Sequence, residues 1–241
     1  INFLKMFKYF KEQFIKPTIL YSLYRMYKFR PFVSHSAFGE EILVNRIFKN
    51  IDLGFYVDVG ALNPRVGSLT YQLYKKGWSG INIDLTKENI KLFKLVRKRD
   101  VSIQIAVSDK KKILESYIFD VGSGLNTLEK KYAENWSKKI NKKYKIVKIR
   151  SDTLTSIISS NVSRKNFEYL NIDVESHEIK VLKGFDFKQF RPKLITIEIH
   201  GNEIEIIKKS DVYKYLVSKK YKLVSFYHLT CFFIPSENDL D

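Results

Sequence analysis

Residues 54–84 read GFYVDVGALNPRVGSLTYQLYKKGWSGINID, and the order of apolar and polar runs within them decides the fold. Residues 55–59 form a short apolar run that ends at Gly60. Residues 68–76 carry helical patterning, and residues 80–84 are a second apolar run closed by Asp84. Strand, helix and strand in succession make one unit of a parallel sheet. The alternation continues outward with a helix over 87–97 and a strand over 102–107. Further strands are expected at 144–149, 169–172, 194–199, 222–226 and 231–234, and helices at 153–159, 177–183 and 211–218. The spacing predicts an α/β fold with a doubly wound, mostly parallel seven-stranded sheet. The last two strands are separated only by residues 227–230, so they should run antiparallel. Residues 120–143 interrupt the pattern with irregular, charged sequence and read as an insertion or lid.

The chain of 241 residues is 44% hydrophobic and 15% aromatic, which supports an ordered core. Its single cysteine, Cys231, excludes an internal disulfide and a cysteine-based zinc site, and suits a reducing, cytoplasmic setting. No run reaches the roughly 20 apolar residues that a membrane-crossing helix needs. Lys5, Lys8, Lys11 and Lys16 interrupt any signal-peptide core. Residues 1–35 form instead a helical, basic and aromatic extension to one domain over 36–241. Phe3, Phe7, Phe10 and Phe14 share a helical face, Pro17 breaks the helix, and Tyr21, Tyr24 and Tyr27 follow. Such a stretch suits peripheral membrane contact through residues 1–30, or packing on protein. Because the first residue is Ile1, an upstream domain or a glycosyltransferase partner is an open expectation. The net charge of +17 is concentrated in residues 1–30, with seven Lys/Arg against one Glu, and 128–150, with nine against two. Basic surface of this kind attracts nucleic acid, anionic lipid or an acidic glycan, or is a solvated face.

In an open α/β sheet, ligands sit at the carboxyl ends of the strands. The first strand delivers Asp58, Gly60 and Ala61 there, and the second delivers Asp84, an acid placed to bond ribose hydroxyls. A dinucleotide would need G-x-G-x-x-G to cradle its pyrophosphate, but Leu62 and Arg65 stand at the second and third glycine positions. S-adenosylmethionine, with ribose and adenine but no phosphate, needs only the turn and the ribose acid. Ser68, at the start of the next helix, and Ser108 and Asp109, after the third strand, complete the candidate cofactor contacts. The segment Asn171-Ile172-Asp173-Val174-Glu175-Ser176-His177-Glu178 follows a mid-sheet strand. Methyl transfer to a hydroxyl needs a proton acceptor, and His177, steered by Asp173 or Glu175, is the expected base. His200, beside Glu198 on the next strand, is the rival. Asp173, Glu175, Glu198 and His200 form an alternative divalent-metal set, which is not favoured because the spacing fits no closed-site motif.

Several segments, in order, resemble the FkbM family of methyltransferases. They are Ser36-Ala37-Phe38-Gly39-Glu40-Glu41, Gly54 to Ala61, Gly77 to Asp84, Ile172 to Glu178 with Val181-Leu182-Lys183-Gly184, and Pro192-Lys193-Leu194-Ile195 leading to Glu198. The resemblance implies a class I, Rossmann-like methyltransferase sheet, S-adenosylmethionine as cofactor, and O-methylation of a glycan or secondary metabolite. By position, Asp58, Gly60 and Asp84 would contact the cofactor and Asp173 to His177 would line the reaction site. One departure stands out: the family has glycine where this chain has Ser176. If that position needs a positive φ, Ser176 is strained; otherwise its hydroxyl caps the next helix.

The expected activity is therefore S-adenosylmethionine-dependent O-methylation of a sugar or glycan hydroxyl. Two rivals are an RNA ribose methyltransferase and a non-catalytic membrane or scaffold module. Nucleic acid is the lesser expectation, because no Asn/Asp-Pro-Pro-aromatic motif follows the mid-sheet strand and Cys231 follows Thr230 rather than proline. A glycosyltransferase using Asp173 and Glu175 as a metal-binding pair fits the Gly60 and Asp84 placement badly.

Overall fold

Alternate side chains of the central strands feed two separate cores in the computed structural model, which describes residues 3–15, 18–28, 33–163, 166–201 and 203–238. The chain divides into two units, 1–33 and 34–241. The first holds helices α1 (Phe3–Phe10) and α2 (Ile19–Lys28), with a π-helical turn over Lys11–Ile15. Phe7, Phe10, Phe14, Leu20, Leu23 and Tyr27 of this unit are exposed. Pro17, the expected break, lies outside the described residues, as does Asn202.

The second unit runs α3 (Glu41–Ile47), β1 (Phe55–Val59), α4 (Tyr71–Lys75), β2 (Ser79–Asp84), α5 (Lys87–Val96), β3 (Val101–Gln104), β4 (Ala106–Val107) and β5 (Lys112–Ile118). It continues through α6 (Lys130–Ile140), β6 (Lys145–Asp152), α7 (Leu154–Asn161), β7 (Tyr169–Ile172), α8 (Glu178–Lys183), β8 (Leu194–Glu198), α9 (Ile204–Lys209), α10 (Asp211–Ser218), β9 (Tyr221–Tyr227) and β10 (Thr230–Pro235). Seven strands form one sheet in the order β3-β2-β1-β7-β8-β10-β9. β10 runs antiparallel to both its neighbours, and the other ladders are parallel. The period-2 geometry of strands assigns the faces. Val57, Val59, Leu170, Ile172, Ile195, Ile197, Cys231 and Phe233 pack with Leu154, Val181, Leu182 and Leu216 from α7, α8 and α10. Tyr56, Tyr169, Leu194, Phe232 and Ile234 point the other way, onto Val44, Phe48, Leu73 and Trp78. Helices therefore cover both faces, and the sheet's edge at the carboxyl ends is left for loops.

The structure corrects several sequence expectations. The single strand over 102–107 is two: β3 stays beside β2, whereas β4 leaves the main sheet to pair with β6. The strand expected at 144–149 is β6, the centre of a second sheet ordered β4-β6-β5. Residues 120–143 are not irregular throughout, because α6 occupies eleven of them, burying Ala133 and ending at Asn141 with φ 51°. Asparagine tolerates that left-handed stop. The helix expected from Ser68 begins only at Tyr71, since Ser68 and Thr70 are engaged by Arg97.

Candidate active site

The carboxyl ends of β1, β2 and β7 open into a solvent-connected cavity, the place where an open α/β sheet takes a ligand. Asp58, Gly60, Ala61, Ser68, Asp84, Asp173 and Glu175 line it, so seven of the twelve expected site residues come together there. Leu85, Ile105 and Val107 add an apolar wall, and Gly124 and Asn126 come from the segment read as a lid.

Gly60 is required at its position on two counts. Its φ is 81°, and a Cβ there would lie 1.6 Å from the Asp173 carbonyl oxygen. The turn is pinned by Gly60 N and Ala61 N, which both donate to Ile83 O. Asp58 is buried and held from both sides: Asn171 Nδ2 donates to Oδ1 at 2.8 Å, and Thr70 Oγ1 to Oδ2 at 2.7 Å. In Asp84, Oδ1 accepts from Thr86 N, Thr86 Oγ1 and Asn89 Nδ2. Its Oδ2 accepts from Leu62 N at 3.1 Å, which leaves that oxygen a lone pair for a ligand. Burial raises both carboxyls above their ordinary range.

Arg97 organises this half of the cavity, and sequence reasoning missed it. It is fully buried. Its Nε donates to Pro64 O, Nη1 to Thr70 Oγ1 and Nη2 to Ser68 Oγ, at 2.6–2.7 Å. The guanidinium thus ties the 64–70 loop to the Asp58 network. An arginine in the last turn of an amphipathic helix reads as surface, and only aromatic Tyr56, Tyr71 and Phe93 nearby in the fold mark it as interior.

The β7–α8 loop is strained where the sequence departs from the pattern it resembles. Glu175 and Ser176 have φ of 55° and 77°. Position 176 therefore does need a positive φ, and the Ser176 hydroxyl does not cap α8, whose N-cap is His177. Glu178 Oε1 holds the loop by accepting from Val174 N and Ser176 N.

His177 does not line the cavity. Its ring is buried, with Nε2 3.1 Å from Ser108 Oγ and Nδ1 2.7 Å from Glu129 Oε1. Both nitrogens are engaged by protein groups, and the ring expected to act as the base lies outside the cavity lining. Ser108 and Asp109, expected as cofactor contacts, are not among the lining residues either: the chain turns into the second sheet at β4, and the Ser108 hydroxyl contacts His177 and Asp109. Glu129 also accepts from Lys180 Nζ at 2.8 Å. The His177 hydrogen bond and then the Lys180 ammonium hold its carboxyl down at about 2.

Four carboxyls gather at this end of β7 and β8: Asp173, Glu175, Glu178 and Glu198. Asp173 is surrounded by protein, yet its side chain is open to the cavity. Burial comes first for all three of Asp173, Glu175 and Glu198, followed by repulsion from Asp58 for Asp173 and from neighbouring carboxylates for Glu175 and Glu198, and each is raised; burial raises Glu178 to about 7. Residues 127–132 meet the cluster, with Thr127 Oγ1 donating to Glu175 O at 2.7 Å and Tyr132 Oη donating to the Glu175 carboxylate. His200 is half-exposed; its Nε2 lies 3.5 Å from Glu198 Oε2 and its ring 5.7 Å from that of Tyr132. Glu175, Glu198 and His200 each bring a ligand atom within 4.8 Å of the others. Glu198 and His200 thus stand behind the cavity wall, beside Glu175.

Residues 58–223 match the family described as Methyltransferase FkbM domain. No curated protein matches the sequence. Among solved structures, monomeric WbdD is similar at 10% identity with a TM-score of 0.43, over 84% of this chain and 42% of that one. This chain therefore spans less than half the length of WbdD. A TehB-like SAM-dependent methyltransferase from Corynebacterium glutamicum is similar at 11% identity with a TM-score of 0.42, over 83% of this chain and 86% of that one.

Proposed function

The chain belongs to the FkbM methyltransferase family, and from that premise we propose that it is an S-adenosylmethionine-dependent O-methyltransferase of the class I fold, acting on a hydroxyl of a sugar or glycan. The observation that carries the reading is the cavity at the carboxyl ends of β1, β2 and β7, which offers a ribose acid without a phosphate cradle. The donor set fits the cofactor. Asp84 Oδ2 has a lone pair for a ribose hydroxyl, the Leu85, Ile105 and Val107 wall suits a purine, and Asp58 supplies negative charge for the ammonium end. S-adenosylmethionine supplies a methyl group activated by its sulfonium.

The chain's own residues position the acceptor and take its proton. Asp173 is the assigned proton acceptor, because it is a carboxylate open to the cavity and set beside the Gly60 turn. His177, clamped between Ser108 and Glu129, fixes the loop that carries Glu175. Holding the reacting groups in line supplies most of the rate, up to about 7–11 kcal/mol, and the proton acceptor adds about 10²–10⁴-fold.

The test is calorimetric titration of S-adenosylmethionine and S-adenosylhomocysteine into the wild type and Asp84→Ala, followed by methyl transfer to glycan acceptors with Asp173→Asn. Binding that Asp84→Ala abolishes, with turnover lost in Asp173→Asn while binding persists, is the expected result. No binding of either ligand by folded protein would overturn the reading.

A further inference from the structure

Among the described residues, no lysine or arginine pairs with the acidic cluster. Asp173, Glu175, Glu178 and Glu198 crowd together in a protein of net charge +17, and the strongest charged neighbours of Glu198 are the other three acids. The nearby Lys180 ammonium is turned to Glu129 instead. Burying a carboxylate without a counter-charge is costly, so such a cluster is held by protons or by a cation.

Two observations separate this cluster from a merely acidic one. Glu198 Oε2 is sealed from solvent and receives no hydrogen bond. A sealed, undonated carboxylate oxygen is rare enough to require a reason. It points toward an imidazole, His200, whose Nε2 is 3.5 Å away.

We propose that Glu175, Glu198 and His200 hold one divalent cation at the edge of the methyl-transfer cavity. Their ligand atoms lie within 4.8 Å of one another. A transition-metal ion with bonds of about 2.0–2.2 Å sets its ligands roughly 3–4 Å apart, a closure that side-chain rotation supplies. Two carboxylate oxygens and one imidazole nitrogen are a mixed donor set that suits Mn²⁺-class ions. Three protein ligands leave coordination positions for water or an acceptor hydroxyl. Glu175 lines the cavity, so the cation would stand where it lowers the pKa of an acceptor hydroxyl. The lid takes part through Tyr132, whose hydroxyl fixes the Glu175 carboxylate and whose ring lies against His200. The catalytic use of the ion rests on the methyltransferase reading, whereas its binding does not.

The experiment is Mn²⁺ binding to the full chain, followed by electron paramagnetic resonance and calorimetry, with S-adenosylhomocysteine titrated separately into the same samples. One Mn²⁺ per chain is expected, weakened by about tenfold or more in Glu198→Gln and in His200→Ala and unchanged in the surface variant Glu134→Gln. His200 is half-exposed, so His200→Ala keeps the fold even if Glu198→Gln does not. Failure to bind Mn²⁺, or equal binding by His200→Ala and the wild type, overturns the cation site. If S-adenosylhomocysteine binds in that case, the methyltransferase reading stands. If Mn²⁺ binds and S-adenosylhomocysteine does not, the cation site stands and the proposed activity falls.

Discussion

Replacing Arg97 by methionine removes a buried guanidinium while keeping most of the apolar stem, and the structure fixes what should be lost. Three bonds of 2.6–2.7 Å, to Pro64 O, Thr70 Oγ1 and Ser68 Oγ, disappear together. A charge-assisted hydrogen bond contributes about 1.5–3 kcal/mol, but three on one side chain do not add. The variant also leaves Asp100, 4.0 Å from Nη1, and the wholly buried Asp58 without their cation. Removing one partner from a buried charge pair costs about 3–5 kcal/mol, and that is the expected loss. For a chain of this size it lowers the melting temperature by roughly 6–20 °C. Circular dichroism melts, with a guanidinium titration to check that the m-value is unchanged, measure it. Ser68 and Leu69 line the cavity, so S-adenosylhomocysteine affinity should fall as the 64–70 loop loosens. Arg97→Lys should remain well below wild type, because one ammonium cannot replace three diverging donors. A loss under about 1 kcal/mol for Arg97→Met, with affinity intact, would refute the assignment of Arg97 as the tie between loop and sheet.

Ser176→Gly should stabilise the protein: a side chain at φ 77° costs about 1–2 kcal/mol and glycine's extra chain entropy returns about 0.4–1 of it. A melt that rises by a few degrees supports this, and a fall would show the loop is unstrained. Gly60→Ala, whose Cβ would meet Asp173 O at 1.6 Å, should cost about 3 kcal/mol or more and abolish S-adenosylhomocysteine binding; a folded variant with normal affinity would contradict it. Glu129 titrates near 2 in the folded state, so its contribution is complete above its ordinary value of 4.5 and is lost as pH falls toward 2. Screening of this partly exposed group leaves about 1 kcal/mol, so Glu129→Gln should be less stable than wild type at pH 7, with the gap shrinking toward pH 3; a gap constant with pH would remove the ion pair from the account. Cys231 is buried and its thiol is pushed up to about 12 by burial, so native protein should resist a thiol reagent that labels the unfolded chain at once, and rapid native labelling would mean the β10 core opens.

The parts of the fold that sequence reveals are those with strict periodicity. β1, β7, β8 and β10 alternate between two apolar faces, and a strand buried on both sides leaves a continuous apolar run at Phe55–Val59 or Leu194–Glu198. The second sheet was hidden for the opposite reason. The strand signal of β6 was legible, but its partner β5 is largely exposed and alternates only weakly, and β4 is two residues long. Helix α6 was hidden by lysine: its polar face dominates the composition and only Ala133 is buried. In the site, the acids at strand ends were legible because the topology alone carries Asp58, Asp84 and Asp173 to one edge. The fate of His177 was not, because its partners Ser108 and Glu129 are 69 and 48 residues away. No local pattern distinguishes a histidine clamped on both nitrogens from one left open.

The basic segment and the acidic loop, which look unrelated along the chain, work as one device. Residues 128–150 are rich in lysine, yet the side chains this region turns inward to the β7–α8 loop are Glu129 and Tyr132, with Thr127 just before them. None of these brings positive charge to Asp173, Glu175 or Glu198. The lysines of α6 instead lie at its exposed positions. Surface cations raise the local concentration of an anionic acceptor over about a Debye length, roughly 8–10 Å in physiological salt. A lysine paired directly with Asp173 would make it a poor proton acceptor, because an adjacent positive charge lowers a carboxyl's pKa. Keeping lysine outside and tyrosine inside separates the two demands. Under the proposed function, the surface would draw in an anionic acceptor while no fixed cation competes with Asp173 for its proton.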